Sequence, residues 1–131
     1  VLGSLIEKEI TTPDNYPLSM SALVAACNQT SNREPIMRLD EDAVTQGLVS
    51  LRRRGLLLAI QPSGSRVTKY RHLAARELEL DAQELAVMCV LMLRGAQTAG
   101  ELHGRTARLA EFAGIADVER TLELLLARAP E

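Results

Sequence analysis

An internal repeat is the feature that most constrains how this chain can fold. At an offset of 74 residues, three apolar residues recur with the same spacing: Val44, Leu48 and Leu51 match Val118, Leu122 and Leu125. Steps of four and three place each set on one face of a helix, which is the spacing that a helix needs to bury a stripe. Arg54 also matches Arg128. The chain is therefore predicted to consist of two related units, each with a core-facing helix.

The first unit spans residues 1–75, and its pattern predicts three helices followed by two strands. Ser19 or Ser21 is expected to cap the second helix, and Asp40 the long third helix, which ends at Gly55. Helices are predicted over residues 1–10, over a short segment that ends at 28, and over 41–54. Strands are predicted over 56–61 and 66–73, with a turn at 62–65 between them. Three helices and a β-hairpin in this order predict a winged helix.

The second unit spans residues 76–131 and begins after a charged connector at 76–79. Asp81 with Glu84, and Thr98 with Glu101, have the spacing of capping boxes, and helices are predicted over 85–94 and 115–128. No hairpin follows before residue 131. The predicted fold is therefore mainly α with small β-hairpin wings, in the α+β class. It comprises two tandem winged-helix units, of which the second has its wing truncated or missing.

Four separated segments carry a resemblance to a known family: VLGSLIEKEITTPD (residues 1–14), CNQTSNREP (27–35), SRVTKY (65–70) and LRGAQT (93–98). With these segments the chain resembles the YceH family of uncharacterised bacterial proteins, over most of its length. The resemblance implies a tandem winged-helix fold and members that are longer than this chain at both ends, so we expect the chain to be a fragment. It implies no activity, because a fold similar to that of DNA-binding regulators does not settle function.

A basic segment is the strongest indication of a nucleic-acid partner. Residues 43–75 contain no acid and six cations: Arg52, Arg53, Arg54, Arg66, Lys69 and Arg71. In a winged helix we expect the end of the third helix and the wing to lie near each other, so these cations could bind the phosphates of double-stranded DNA, and Gln46 could reach a base edge. Alternatively, the arginines complement the helix dipole and the strand cations protect a sheet edge. The acids at residues 40–42 argue against DNA.

A long polar segment joins the second and third predicted helices. Its candidate contact residues are Asn28, Gln29, Ser31, Asn32 and Arg33. These side chains could bind phosphates or the backbone of a partner. The favoured explanation is that they satisfy backbone groups of the loop itself.

The last predicted helix carries Leu124 and Leu126 outside its core stripe. A helix that is apolar around so much of its circumference is usually covered on more than one side. The cover is predicted to come from the first unit or the missing wing, or else from a second copy or another protein. The candidate contact residues for such a partner are Arg120, Glu123, Leu124 and Ala127.

The sequence thus supports two functions of different classes. The first is a DNA-binding protein similar to transcription regulators, and the alternative is an interaction or scaffold module that binds no nucleic acid. An enzyme is not expected, because His72 and His103 are isolated and no glycine-rich phosphate loop, nucleophile elbow or metal motif occurs. No cofactor and no metal are expected, and the histidines are expected to be exposed or to cap helices.

A membrane-spanning segment is not expected either. The longest apolar run, residues 85–93, is about half of the roughly 20 residues that cross a bilayer. We therefore expect a cytoplasmic protein in which Cys27 and Cys89 are buried free thiols.

Overall fold

The computed structural model of the chain describes residues 1–61 and 66–128. Within these residues the helices are α1 (Leu2–Thr11), α2 (Met20–Asn28), α3 (Glu41–Arg53), α4 (Ala74–Glu77), α5 (Ala82–Arg94), α6 (Ala99–Thr106) and α7 (Ile115–Leu126). The strands are β1 (Leu18–Ser19), β2 (Leu57–Ile60) and β3 (Lys69–His72). The predicted α+β class with mainly helical structure is confirmed. The predicted turn at residues 62–65 lies outside the described residues.

The three strands form one antiparallel sheet in the order β1-β3-β2. Tyr70 of the central strand pairs with Leu18 on one side and with Ala59 on the other. The sequence did not predict β1, because two residues show no alternation and their extended conformation depends on pairing with β3. The first half therefore has the order α1-β1-α2-α3-β2-β3, and its interpretation as a winged helix stays a prediction.

Local hydrogen bonds set the starts of four helices, as predicted. Ser19 caps α2 by accepting from the backbone N–H of Ala22, and Asp40 caps α3. Both capping boxes are present: Asp81 with Glu84 at α5, and Thr98 with Glu101 at α6. Each capping side chain satisfies an N–H that has no acceptor inside its helix. The predicted charged connector at 76–79 includes the end of the single-turn helix α4, Ala74–Glu77.

Two clusters of buried apolar side chains share helix α1. Leu5 packs with Val44 and Leu48 in one cluster, and Ile6 packs with Val118 in the other, which α5, α6 and α7 dominate. Leu5 and Ile6 are both 0% exposed. Because successive helical residues point about 100° apart, α1 buries one side against each cluster. The division into units 1–75 and 76–131 stays a prediction, and α1 belongs to the packing of both halves.

Helices α1 and α5 approach closely at Gly3. A Cβ atom on Gly3 would lie 3.0 Å from the Cγ atom of Leu93. One turn earlier in α5, the Sγ atom of Cys89 lies 3.4 Å from the Gly3 carbonyl oxygen. Cys27 and Cys89 are buried free thiols, as predicted. Burial, together with the charge of Glu7, raises the pKa of the Cys89 thiol to about 12.

No single helix among residues 1–61 and 66–128 combines the length and the apolar composition needed to cross a bilayer. Ala82–Arg94 and Ala99–Thr106 meet those criteria only as a pair, and the pair is bent by 106°.

We predict opposite effects of leucine at two helical glycines. Gly3→Leu should lower the free energy of unfolding by about 1–3 kcal/mol, because the side chain forces α1 away from α5. Gly104→Leu in α6 should be neutral or stabilising by up to about 1 kcal/mol, because no atom lies within 4 Å of its Cβ position and leucine favours helix. Urea unfolding followed by circular dichroism measures both. Equal free energies for the two variants would contradict the close approach.

Candidate nucleic-acid interface

The outward face of α3 forms a shallow groove. Val44 and Leu48 point into the core, and the groove on the opposite side is lined by Thr45, Gln46, Val49, Ser50, Arg53 and Arg54. The structure thus brings together two of the predicted contact residues, Gln46 and Arg53. Val49 between them is 45% exposed. An amide, a valine and two guanidinium groups therefore share one surface, and no acidic side chain among residues 1–61 and 66–128 lines it.

The cations of the hairpin lie on its outward face. Lys69 and Arg71 alternate with Tyr70 and His72, whose side chains point toward the helices. Lys69 pairs with Ile60, and Arg71 pairs with Leu58 nearer the end of α3. Arg66 precedes Lys69 at the far end of the hairpin, whereas Arg52, Arg53 and Arg54 lie at the base where β2 begins. The predicted cations therefore lie along the hairpin and at its base, and their contact with phosphates stays a prediction.

Asn28 fixes the point at which α3 begins. Its Nδ2 donates to the Leu39 carbonyl oxygen at 2.7 Å, and its Oδ1 accepts from the Leu39 backbone N–H at 2.6 Å. Leu39 directly precedes Asp40, the cap of α3. Asn28, the first of the predicted loop residues, therefore positions the start of α3 and does not itself form part of the α3 groove.

Arg33 and Asn32 bind a buried acid that the sequence analysis missed. The Glu7 side chain is 0% exposed, and its Oε1 accepts from Nη2 of Arg33 at 2.8 Å. Its Oε2 accepts from Nδ2 of Asn32 and from Nη2 of Arg108, both at 2.8 Å. Gln29 donates to Glu7 at 3.4 Å and to the carbonyl oxygen of Ser31 at 3.0 Å. The sequence around Glu7 gives little indication that this residue is buried. Glu7 is enclosed because α1 packs on more than one side, so its position does not face solvent.

The network keeps Glu7 ionised in the interior. Burial by itself raises the pKa of the carboxyl, but the hydrogen bonds from Arg33 and Asn32 and the charges of Arg33 and Arg108 outweigh it and hold the pKa below its ordinary value. Arg33 is 5% exposed, and it also donates to the Ala26 carbonyl oxygen at 2.9 Å. A contact of Arg33 with phosphate is therefore wrong for this structure, because its guanidinium is enclosed and paired.

His72 is buried, contrary to the expectation of an exposed side chain. Its Nε2 lies 2.7 Å from Oε1 of Glu9, and its Nδ1 accepts from the Ala74 backbone N–H at 3.1 Å. The alternative expectation, that it caps a helix, fits the contact with Ala74 at the start of α4. No group of three His, Cys, Asp or Glu side chains within the described ranges is arranged to hold a metal ion.

The predicted interaction residues lie on the outward face of α7 and beside it. Arg120, Glu123, Leu124 and Ala127 are all exposed, and Leu124 is 52% exposed. Leu126 is 72% exposed. Cover from the first unit is therefore not found among residues 1–61 and 66–128.

Comparison with known proteins places the chain among uncharacterised bacterial sequences. A family model described as "Protein of unknown function, DUF480" matches residues 1–131. A UPF0502 protein of Koribacter versatilis is 53% identical over 99% of this chain and 60% of its own length. A UPF0502 protein of Hahella chejuensis is 54% identical over 96% of this chain and 59% of its own length. The UPF0502 protein YceH of Salmonella arizonae is 48% identical over 98% of this chain and 61% of its own length. The chain thus spans about 60% of the length of these relatives, and the predicted resemblance to the YceH family is confirmed.

We predict that Glu7→Gln lowers the free energy of unfolding by about 3 kcal/mol near neutral pH, because it leaves the buried Arg33 unpaired. The pKa of Glu7 is lowered in the folded chain, so its contribution is complete above the ordinary value of 4.5 and is lost as the pH falls through the folded value. The difference between wild type and variant should therefore shrink in acid. Urea titrations across a pH series measure it.

Glu41→Gln is the matched control, because Glu41 is exposed in the first turn of α3. It should change the free energy of unfolding by less than about 1 kcal/mol. A constant difference between wild type and Glu7→Gln down to the most acidic pH would show that Glu7 does not contribute as an ion.

Proposed function

The chain belongs to the DUF480 family of proteins of unknown function, and we propose that its first half is a winged-helix unit that binds double-stranded DNA through α3. The observation that carries the proposal is the exposed α3 groove, in which Gln46 lies with Arg53 and Arg54. In this proposal the protein is a cytoplasmic regulator and not an enzyme.

The order of elements supports a winged helix. Helix-turn-helix proteins present their recognition helix to the major groove and use neighbouring elements to contact the backbone. Here α3 follows α2 after the loop of residues 29–40, and the β2–β3 hairpin follows α3. The core positions Val44 and Leu48 hold one face of α3 inward, which leaves the groove as the face available to a duplex.

The side chains of the groove have the chemistry of base and phosphate contacts. A glutamine amide can bond to both N6 and N7 of adenine, and an arginine to O6 and N7 of guanine. Val49 offers an apolar contact for a thymine methyl group. Thr45 and Ser50 add hydroxyl groups at the edge, where phosphate oxygens accept hydrogen bonds.

The charge distribution along α3 sets the expected orientation on the duplex. The first turn carries Glu41 and Asp42, and the last turn carries Arg52 and Arg53. Along a helix these turns are about 15 Å apart. The acidic turn opposes contact with phosphate, so the middle and the end of α3 are the parts that would approach DNA. Lys69 and Arg71 on the outward sheet face add cations that an approaching phosphate backbone would meet.

The proposal predicts binding that depends strongly on salt. Affinity for a pool of random-sequence duplex DNA should fall steeply between roughly 50 and 200 mM salt, because bound cations release counterions from the duplex. Arg53→Glu should weaken binding by at least about tenfold and reduce the slope against log salt by about 1. Gln46→Ala should leave that slope unchanged and reduce discrimination among selected sequences. Fluorescence anisotropy measures both variants.

Arg76→Glu is the matched control for charge. It makes the same change of two units at a site outside the groove, where the Arg76 side chain is 82% exposed. It should retain wild-type affinity within about threefold, since it makes no phosphate contact in this proposal. Absence of binding at the lower salt, or equal losses for Arg53→Glu and Arg76→Glu, would overturn the α3 interface.

A further inference from the structure

The outward face of α7 is the repeat counterpart of the α3 groove. At the offset of 74 residues, four groove residues have these counterparts: Gln46, Val49, Ser50 and Arg53 correspond to Arg120, Glu123, Leu124 and Ala127. The same helix face is thus polar and basic in the first half, and mixed in charge with one leucine in the second. Glu119 and Glu123 would oppose phosphates with like charge, so this face is unsuited to a second duplex contact.

The α7 face is open, and part of its charge is unpaired. Val118 and Thr121 on the inward side are 0% and 2% exposed, whereas Leu124 is 52% exposed. Arg120 bonds to Asp117 one turn earlier in the same helix, and its side chain remains 63% exposed. Glu123 forms no ion pair with any other residue in the described part of the chain. A partner that supplies a cation to Glu123 and an anion to Arg120 would complement this face.

We propose that the partner is a second copy of this chain, bound through α7 in an antiparallel, two-fold symmetric pair. In such a pair each contact occurs twice, because the same patch is used on both copies. When Arg120 faces the partner's Glu123, Ala116 faces the partner's Ala127. The charges are then complementary at the centre of the contact, and the small side chains near its two ends let the helices approach.

The two-fold axis also explains the position of Leu124. It lies on one flank of the stripe formed by Ala116, Arg120, Glu123 and Ala127, about 70° around the helix from the outward direction. A two-fold axis between antiparallel helices brings the same flank of each helix together. The Leu124 side chains of the two copies therefore meet and bury the apolar surface that each copy leaves exposed.

This association is independent of the proposed DNA contact, because it uses the other half of the repeat. If both hold, the two-fold axis places two α3 helices on one symmetric particle, which is the arrangement that reads paired half-sites.

A charge-exchange experiment tests the contact. Sedimentation velocity over a concentration series of the chain should show a monomer–dimer equilibrium. Arg120→Glu places acid against the partner's Glu123, and Glu123→Arg places base against the partner's Arg120, so each variant alone should associate at least about tenfold more weakly. An equimolar mixture of the two variants should recover association, because both contacts between unlike copies then have opposite charges. Recovery in the mixture also shows that each variant is folded.

Leu124→Glu should weaken association as well, and the Arg76→Glu variant is the matched control. It makes the same charge change as Arg120→Glu at an exposed site outside α7 and should leave the dimer unchanged. The proposal is overturned if the wild-type chain stays monomeric at every concentration, if the mixed variants associate no better than either alone, or if Leu124→Glu has no effect. Because the readout is association without DNA, failure of the α3 interface does not alter it.

Discussion

The enclosed carboxylate of Glu7 is the interaction on which the rest of this structure depends. Removing a charge from water is costly, and it is tolerated when the charge is paired and hydrogen-bonded. Glu7 meets this condition with Arg33, Asn32 and Arg108, whose nitrogen atoms each lie 2.8 Å from a carboxylate oxygen. Glu7 lies in α1, whereas its partners come from the loop after α2 and from the chain after α6. One side chain therefore ties together both halves of the chain.

The network connects the interior to the candidate DNA interface. The loop between α2 and α3 is long and has no strand to join, so its order depends on side-chain contacts. Arg33 and Asn32 anchor its middle to Glu7, and Asn28 joins its two ends through Leu39. Because Leu39 precedes the cap of α3, the position of the α3 groove follows from contacts that lie beneath it. The residues that first suggested a surface site thus support the surface instead of forming it.

At the offset of 74 residues, α3 and α7 match on their inward faces and differ on their outward faces. The inward positions of α3 and α7 keep the same residue types, because both helices bury a stripe against a core. The outward positions differ: α3 carries Gln46 and Arg53, and α7 carries Arg120 and Glu123. Solvent-facing positions can change without a packing cost, so the two faces are free to acquire different partners.

The sequence by itself determined the helices and their starts. Periodic apolar residues define the buried stripe, and Asp40, Asp81 and Thr98 cap helices through bonds to backbone groups only three residues away. It also located Gln46 and Arg53 on the outward face of α3, because the buried positions of a helix define which positions face solvent. The tertiary structure alone decided β1, the sharing of α1 between two clusters, and the pairing of Glu7 with Arg33 and Arg108. Arg33 lies 26 residues from Glu7 along the chain, and Arg108 lies 101 residues from it. Their pairing has no local signal, because it arises only when the packing of three separate elements excludes water from one carboxylate.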